Sequence, residues 1–370
     1  MVGDLKLELP KQVTQVLERL GDYGYSAYIY GECVRLLIIA KNKSTNDSLR
    51  EIMPPPDFDV LTNAELPRIR AIFEEYNINE SRIEQGELIV TVLGVSVSIA
   101  SYVELEEKLL QKCGFTFDGI AYAVKKGKEG KEGKKVLFDP FGGNEDLNSG
   151  RLNFIQSGRR FNPHDILPAL AYSSSGEFEI SGEAKRLIME NVSGLGESED
   201  AASVQKVLLG RNVSAVLAEY SDVFTAIIPE LKMLEGFGNL LSLTYKSVGS
   251  SPPILVLRFA LLFRELGKPD CHSKDSDGEE FYYGHAERSR IYASRIMQRL
   301  GCEQEEIRRV GKIIKFYEKV VDASEETLLD LQDEYSDGLL KELLLFNSAV
   351  HRANGDEKNA MKFKKLLKGF

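Results

Sequence analysis

The sequence predicts an α+β protein, with a mixed-sheet head over residues 1–149 and an all-helical remainder made of a neck over 150–235 and a body with tail over 236–370. Three observations predict it. Short β-branched runs alternating with a period of two, the spacing of a half-buried strand, are confined to the first 150 residues. From Ile166 onward apolar residues recur at helical spacing, in segments punctuated by Gly176, Gly194-Leu195-Gly196, Gly236-Phe237-Gly238, Pro252-Pro253 and the polar stretch Lys268 to Glu280. Strands followed by a long run of helices is the order of an α+β chain or of separate domains.

Each element follows in turn. Val13, Val16, Leu17 and Leu20 sit at helical spacing between Pro10 and Gly21 and predict an amphipathic helix. A strand spans Ala27 to Tyr30, and Gly31 turns the chain into an apolar helix running to about Ala40. The polar stretch Lys41 to Asp47 and the stiff run Pro54-Pro55-Pro56 mark an excursion before a strand from Asp57 to Leu61 and a helix from Glu65 to Tyr76. Ile89 to Leu93 and Val95 to Tyr102 flank Gly94 as a hairpin, with Val95, Val97 and Ile99 alternating against Ser96, Ser98 and Ala100. A second hairpin joins Ile120–Val124 to Val136–Phe138 through Lys125 to Lys135, whose six Lys and two Glu read as a solvated tip.

The 370 residues carry 47 Lys and Arg against 57 Asp and Glu, a net charge of -10, which argues against coating nucleic acid or anionic membrane by bulk charge. Residues 1–200 hold 23 basic and 32 acidic side chains, whereas the last twenty hold 6 and 2, so the tail is basic. Phe363, Leu366, Leu367 and Phe370 would line one face of a terminal helix and Lys362, Lys364, Lys365 and Lys368 the solvated rest. Cys33, Cys113, Cys271 and Cys302 lack the spacing of a disulfide framework or a zinc site, which suits a reducing cytoplasm. No apolar run reaches the roughly 18 residues of a membrane span.

Asp57-Phe58-Asp59 is the sharpest chemical feature. Residues two apart on a strand project from one face roughly 7 Å apart, and two carboxylates so held can bind Mg²⁺ that clamps nucleotide phosphates. Two solvated carboxylates at a strand end are the bland reading. Upstream, Gly31-Glu32-Cys33-Val34-Arg35 opens a helix whose N-terminal N–H groups can face the same side of the sheet, so a phosphate site and a metal site would converge.

These residues resemble the class II tRNA nucleotidyltransferases (CCA-adding enzymes) and the bacterial poly(A) polymerases. The family pattern Gly-Gly-x-Val-Arg-Asp followed by Asp-x-Asp is similar to Gly31 to Leu36 and Asp57-Phe58-Asp59, and Thr62-Asn63-Ala64-Glu65-Leu66-Pro67 fits its Thr-x-Ala-x-x-Pro. Phe115-Thr116, Ala121-Tyr122 and Asp139 to Leu147 match the end of the head; Ile228-Pro229-Glu230-Leu231 resembles a landmark of the helical body. Leu257 to Pro269 and Phe281 to His285 look like a histidine-aspartate (HD) region. The resemblance spans roughly residues 25–320. It implies a nucleotidyltransferase-like head, Asp57 and Asp59 as catalytic Mg²⁺ ligands, and Gly31, Arg35, Lys112 and Asp118 around the nucleotide. The implied partners are an NTP and a tRNA-like RNA 3′ end.

Departures fall on functional positions. Glu32 replaces the second glycine, Leu36 an acid, Val103 an arginine, and Ser98 stands where a third carboxylate aligns. Arg-Arg-Asp-Phe-Thr-x-Asn becomes Lys112-Cys113-Gly114-Phe115-Thr116-Phe117-Asp118, and Asp165 and Pro168 occupy places of phosphate-binding arginines, whose bidentate fork neither can replace. Glu199-Asp200-Ala201-Ala202-Ser203 lacks the arginine of a base-reading template. Arg264-Glu265 stands where His-Asp would, which leaves His285 as a hydrogen-bonded structural residue. Two readings stay open: a nucleotidyltransferase of weakened or altered activity, and an inactive relative serving as an RNA-, nucleotide- or protein-binding scaffold.

Overall fold

The computed structural model describes residues 6–43, 57–102, 110–125, 134–156, 161–196, 201–321, 324–332 and 335–369. Pro54 to Pro56, Val103, most of the lysine-rich hairpin tip and Glu199-Asp200 lie outside them. The architecture is α+β, in two compact units, residues 1–161 and 162–370.

Unit one is built on a seven-stranded mixed sheet. Its elements run α1 (Lys11–Asp22), β1 (Ala27–Tyr30), α2 (Glu32–Lys43), β2 (Phe58–Thr62), α3 (Leu66–Ile72), β3 (Asn77–Asn79), β4 (Glu87–Val92) and β5 (Val95–Ser101). There follow β6 (Ala121–Lys125), β7 (Lys134–Phe138) and α4 (Gly143–Ser149). Strand order is β3-β4-β5-β2-β1-β6-β7, and β2 with β5 is a parallel pair. Both expected hairpins are present, β4 with β5 and β6 with β7.

Period two sorts the sheet into two faces. Ile29, Phe58, Val60, Leu88, Val90, Val97 and Ile99 point to one side and are buried with Val13, Val16, Leu17 and Leu20 of α1 and with Val34 and Ile38 of α2. Ile69 and Ile72 of α3 complete that core. Burying one such side chain contributes about 1.5–3 kcal/mol, so the helical layer fixes which face of each strand looks the other way. That other face carries Tyr30, Asp59, Ser98 and Glu87, with a smaller apolar group of Leu61, Tyr102, Leu110 and Ala121 beside it.

Several boundaries differ from the sequence reading, two of them for a clear reason. The expected helix from Glu65 to Tyr76 ends at Ile72, because the chain turns through Phe73 to Tyr76 to enter β3, whose Asn-Ile-Asn has too little pattern to announce itself. Asp57 is an exposed bend residue preceding the ladder, which begins at Phe58 paired with Val97.

Unit two is helical. It runs α5 (Ile166–Ser175), α6 (Gly182–Glu190), α7 (Ala201–Leu209), α8 (Val213–Glu219), α9 (Ser221–Ile227) and α10 (Leu240–Ser250). The chain continues through α11 (Leu255–Phe263), α12 (Lys268–Cys271), α13 (His285–Leu300), α14 (Gln304–Phe316), α15 (Glu325–Gln332), α16 (Asp337–Ala353) and α17 (Glu357–Leu366). Arg258, 3% exposed on the otherwise apolar α11, gathers the carbonyls of Leu208, Gly210, Ser251 and Pro252, so a buried cation closes the C-terminal end of α7. On α17, Phe363 is buried while Lys362, Lys364 and Lys365 face solvent. No helix among the described residues is long and apolar enough to cross a membrane.

Candidate active site

The candidate site is the face of the sheet opposite the helical layer, where β1 hands the chain to α2. Gly31 makes the turn at φ +77°, a left-handed conformation that L side chains rarely adopt, although a Cβ there would meet open space. Its N–H donates to the Ile120 carbonyl at 3.2 Å, tying the turn to the neighbouring strand. The first turn of α2 then follows immediately, its N-terminus adjoining β1. Cys33 seals the underside: it is buried, its thiol donates to the Tyr30 carbonyl at 3.0 Å, and burial pushes that thiol up to about 12.

Asp59 lies in β2 with Tyr30 across one ladder and Ser98 across the other. Its side chain is half-buried, and among the described residues no side chain hydrogen-bonds or ion-pairs with its carboxylate. Burial first, then the Glu87 carboxylate, raise its pKa to about 6; Arg82 opposes them, and Asp57 and Glu32 add to the rise. A carboxylate in this condition, on a face of oxygen donors, suits a hard divalent cation. Asp57 and Asp59 are the residues that would hold one, and Asp57 is exposed at the strand entrance. Among the described residues, no three His, Cys, Asp or Glu side chains are already gathered around one point.

The expected nucleotide residues divide. Arg35 is 3% exposed and engaged by its own chain: Nη2 lies 2.5 Å from Glu32 Oε1, and Nη1 is 3.2 and 3.3 Å from the two Asp118 oxygens. Its guanidinium also stacks 5.2 Å from the Phe117 ring centroid. Asp118 is pushed up to about 7 by burial, with Arg35 opposing and Glu32 adding. The structure therefore brings Gly31, Arg35 and Asp118 together, through Arg35 as a clamp between the start of α2 and the turn before β6. Lys112 stands apart, exposed on a short 3-10 turn.

The segments that frame this turn are held by polar bonds. Thr116 Oγ1 donates to Asp146 Oδ2 at 2.6 Å, and Asn153 Nδ2 to Asp146 Oδ1 at 2.9 Å. Asp139 accepts from the backbone of Gly143 and Asn144 at 2.8 and 2.9 Å, anchoring the start of α4. A Cβ at Gly143 would come within 2.0 Å of the Thr116 carbonyl oxygen, so this close approach requires glycine.

No protein-family model and no curated protein matches the sequence. Solved structures do match. A CCA-adding enzyme of Bacillus stearothermophilus in complex with CTP is 16% identical, with a TM-score of 0.60 over 97% of this chain and 82% of that one. The Thermotoga maritima CCA-adding enzyme complexed with tRNA is 13% identical, with a TM-score of 0.60 over 97% and 83%. A tRNA-processing enzyme in an apo form is 15% identical, with a TM-score of 0.61 over 98% and all 100% of its chain. The fold is that of the CCA-adding enzymes.

Within that fold, the HD-like region carries an ion-pair network. Arg264 and Glu265 are buried and paired at 2.9 Å, and Lys268 reaches Glu265 at 2.8 Å. Burial opposes ionisation of Glu265, but Arg264 and Lys268 hold its carboxyl below the usual range. His285, the first residue of α13, shares its nitrogens between the Tyr282 carbonyl at 2.8 Å and the Tyr317 hydroxyl at 2.9 Å. These groups line an open pocket with Tyr282 and Tyr317.

Sequence reasoning passed over Glu87 and Arg82. Their signal was an acidic residue opening a strand of otherwise β-branched type, a residue class depleted in strands.

Proposed function

We propose that this chain is a nucleotidyltransferase acting on an RNA 3′ end, with Mg²⁺ and an NTP, and with an activity altered relative to CTP- and ATP-adding enzymes. The observation that carries this is the half-buried Asp59 carboxylate, unpartnered among the described residues and on the face of the sheet away from the helical layer, across the ladder from Tyr30, which precedes Gly31. Asp57 and Asp59 would hold the metal. When bound, Mg²⁺ favours ionisation of an attacking hydroxyl and offsets charge on the leaving pyrophosphate. The rest falls to the chain itself. Gly31 lets the first turn of α2 present its backbone N–H groups to a phosphate. Arg35 acts one step back, holding that helix start in place through Glu32 and Asp118. Lys112, exposed on its turn, is the cation available to an incoming nucleotide or RNA phosphate.

A second reading is favoured by a specific observation, the engagement of Arg35 by two carboxylates of its own chain, which keeps that guanidinium from a triphosphate. In that reading the chain binds RNA, nucleotide or protein without chemistry.

Labelled NTPs, Mg²⁺ and a tRNA lacking its 3′ end separate the two. Incorporation that disappears in Asp57→Ala and Asp59→Ala supports the transferase. Absence of incorporation with all four NTPs, together with absence of metal-dependent nucleotide binding, refutes it in favour of the scaffold.

A further inference from the structure

The open pocket of unit two has no part in the reading so far. Arg264 and Glu265, just past the end of α11, line it and are 6% and 2% exposed. Arg264 Nη1 lies 2.9 Å from Glu265 Oε1, and Lys268 Nζ lies 2.8 Å from Glu265 Oε2. One carboxylate meets two cations, so the cluster carries one positive charge in excess. The arginine also has an edge to spare, since its Nε is buried and has no hydrogen-bond partner among the described residues. A buried charged donor without an acceptor is costly, and the edge that Nε shares with Nη2 matches the two oxygens of an oxyanion.

The rest of the lining is largely aromatic. Phe281 and Tyr283, two residues apart, stack with ring centroids 5.5 Å apart and planes 5° from parallel, and Tyr283 is 81% exposed. Buried Tyr317 lines the same cavity, whose volume of about 510 Å³ falls in the range of small-molecule sites. An aromatic ring left in water beside a fixed cation gives a planar ligand a surface to stack on.

We propose that this pocket binds a small aromatic carboxylate, its two oxygens on the Nε and Nη2 edge of Arg264 and its ring against the stacked Phe281 and Tyr283. The charges select a single negative charge over two. Glu280 is answered by Lys274 at 2.9 Å, whereas Glu318, 55% exposed, has only His285 Nε2 at 3.6 Å. The one excess cation of the buried cluster therefore neutralises a carboxylate, and Glu318 opposes the second charge of a phosphate monoester. The pocket belongs to unit two alone, and the inference holds whether or not the chain transfers nucleotides.

Isothermal titration of the full chain with naphthoate tests this. Naphthoate binds, and both acetate, which lacks the ring, and naphthalenemethanol, which lacks the charge, bind at least about tenfold more weakly, a difference of about 1.4 kcal/mol. Naphthyl phosphate, with the same ring and a second charge, also binds more weakly than naphthoate. Arg264→Lys keeps the charge but loses the two-pronged edge, and weakens naphthoate binding at least about tenfold. Tyr283→Ala weakens it about threefold, the scale of one aromatic contact. A parent that binds naphthoate no better than acetate or naphthalenemethanol overturns the proposal, and so does Arg264→Lys binding within about twofold of the parent. Naphthyl phosphate binding as tightly as naphthoate overturns the assignment to a carboxylate. If Arg264→Lys fails to fold by circular dichroism, Tyr283→Ala, at an exposed position, decides: affinity equal to the parent's overturns the proposal.

Discussion

Replacing Arg35 by Met keeps the side chain's length and apolar contacts while removing the charge between Glu32 and Asp118, and the consequence depends on pH in a way that can be worked out. The Asp118 carboxyl titrates at about 7 in the folded protein, and near 4 when unfolded. Its folded value is raised, so its contribution to stability is greatest at low pH and is lost as pH rises toward 7. Below about pH 7 Asp118 is protonated in both proteins, and the variant loses only the guanidinium's hydrogen bonds, about 1–3 kcal/mol. Above that pH the two diverge. The parent ionises Asp118 against Arg35, whereas the variant, without the counter-charge, must keep it protonated. The difference in stability then widens by about 1.4 kcal/mol per pH unit, or about 2 kcal/mol between pH 7 and 8.5. Urea unfolding followed by circular dichroism over that range measures it. A difference that stays flat or narrows with rising pH would refute the clamp and return Arg35 to a role outside the fold.

Four further outcomes follow from the same geometry. Added Mg²⁺ at ten times its Kd stabilises the parent by about 1.4 kcal/mol in a thermal scan and leaves Asp59→Asn unmoved; equal stabilisation of both would place the ion elsewhere. Gly143→Ala, forced against the Thr116 carbonyl, costs about 3 kcal/mol or more, whereas Gly142→Ala at φ +72° in open space costs about 1–2, and calorimetry ranks them. Arg258→Met strands the four carbonyls it collects and costs about 3–5 kcal/mol, a loss seen as earlier denaturation; a loss under 1 kcal/mol would show those carbonyls finding other partners. Reversing Lys364 and Lys365 to Glu lowers RNA affinity and flattens its salt dependence without changing thermal stability, as read by filter binding at several salt concentrations.

Much of the head was legible because β-strands advertise themselves by alternation. Ile29, Phe58, Val60, Val97 and Ile99 fall at every second position, and burying them leaves Asp59 and Ser98 no choice of face. Both hairpins were readable for the same reason. β3 escaped, since three residues with one apolar side chain carry no period, and its place at the sheet edge depends on pairing with β4. A pairing of Arg35 with Glu32, one helical turn away, was legible; its second partner was not, since Asp118 is 83 residues away and only folding shows that the two are paired.

By itself, then, the sequence determined the α+β class, the succession of the longer strands along the chain and the carboxylate on β2, because these depend on residue type and local period. Tertiary structure alone decided that Asp118 joins Glu32 around Arg35 and that Arg264 and Glu265 are buried as an ion pair. The physical reason is that a charge acquires its role from its neighbours and its burial, and both are set by strand pairing and helix packing between residues that are distant in the chain.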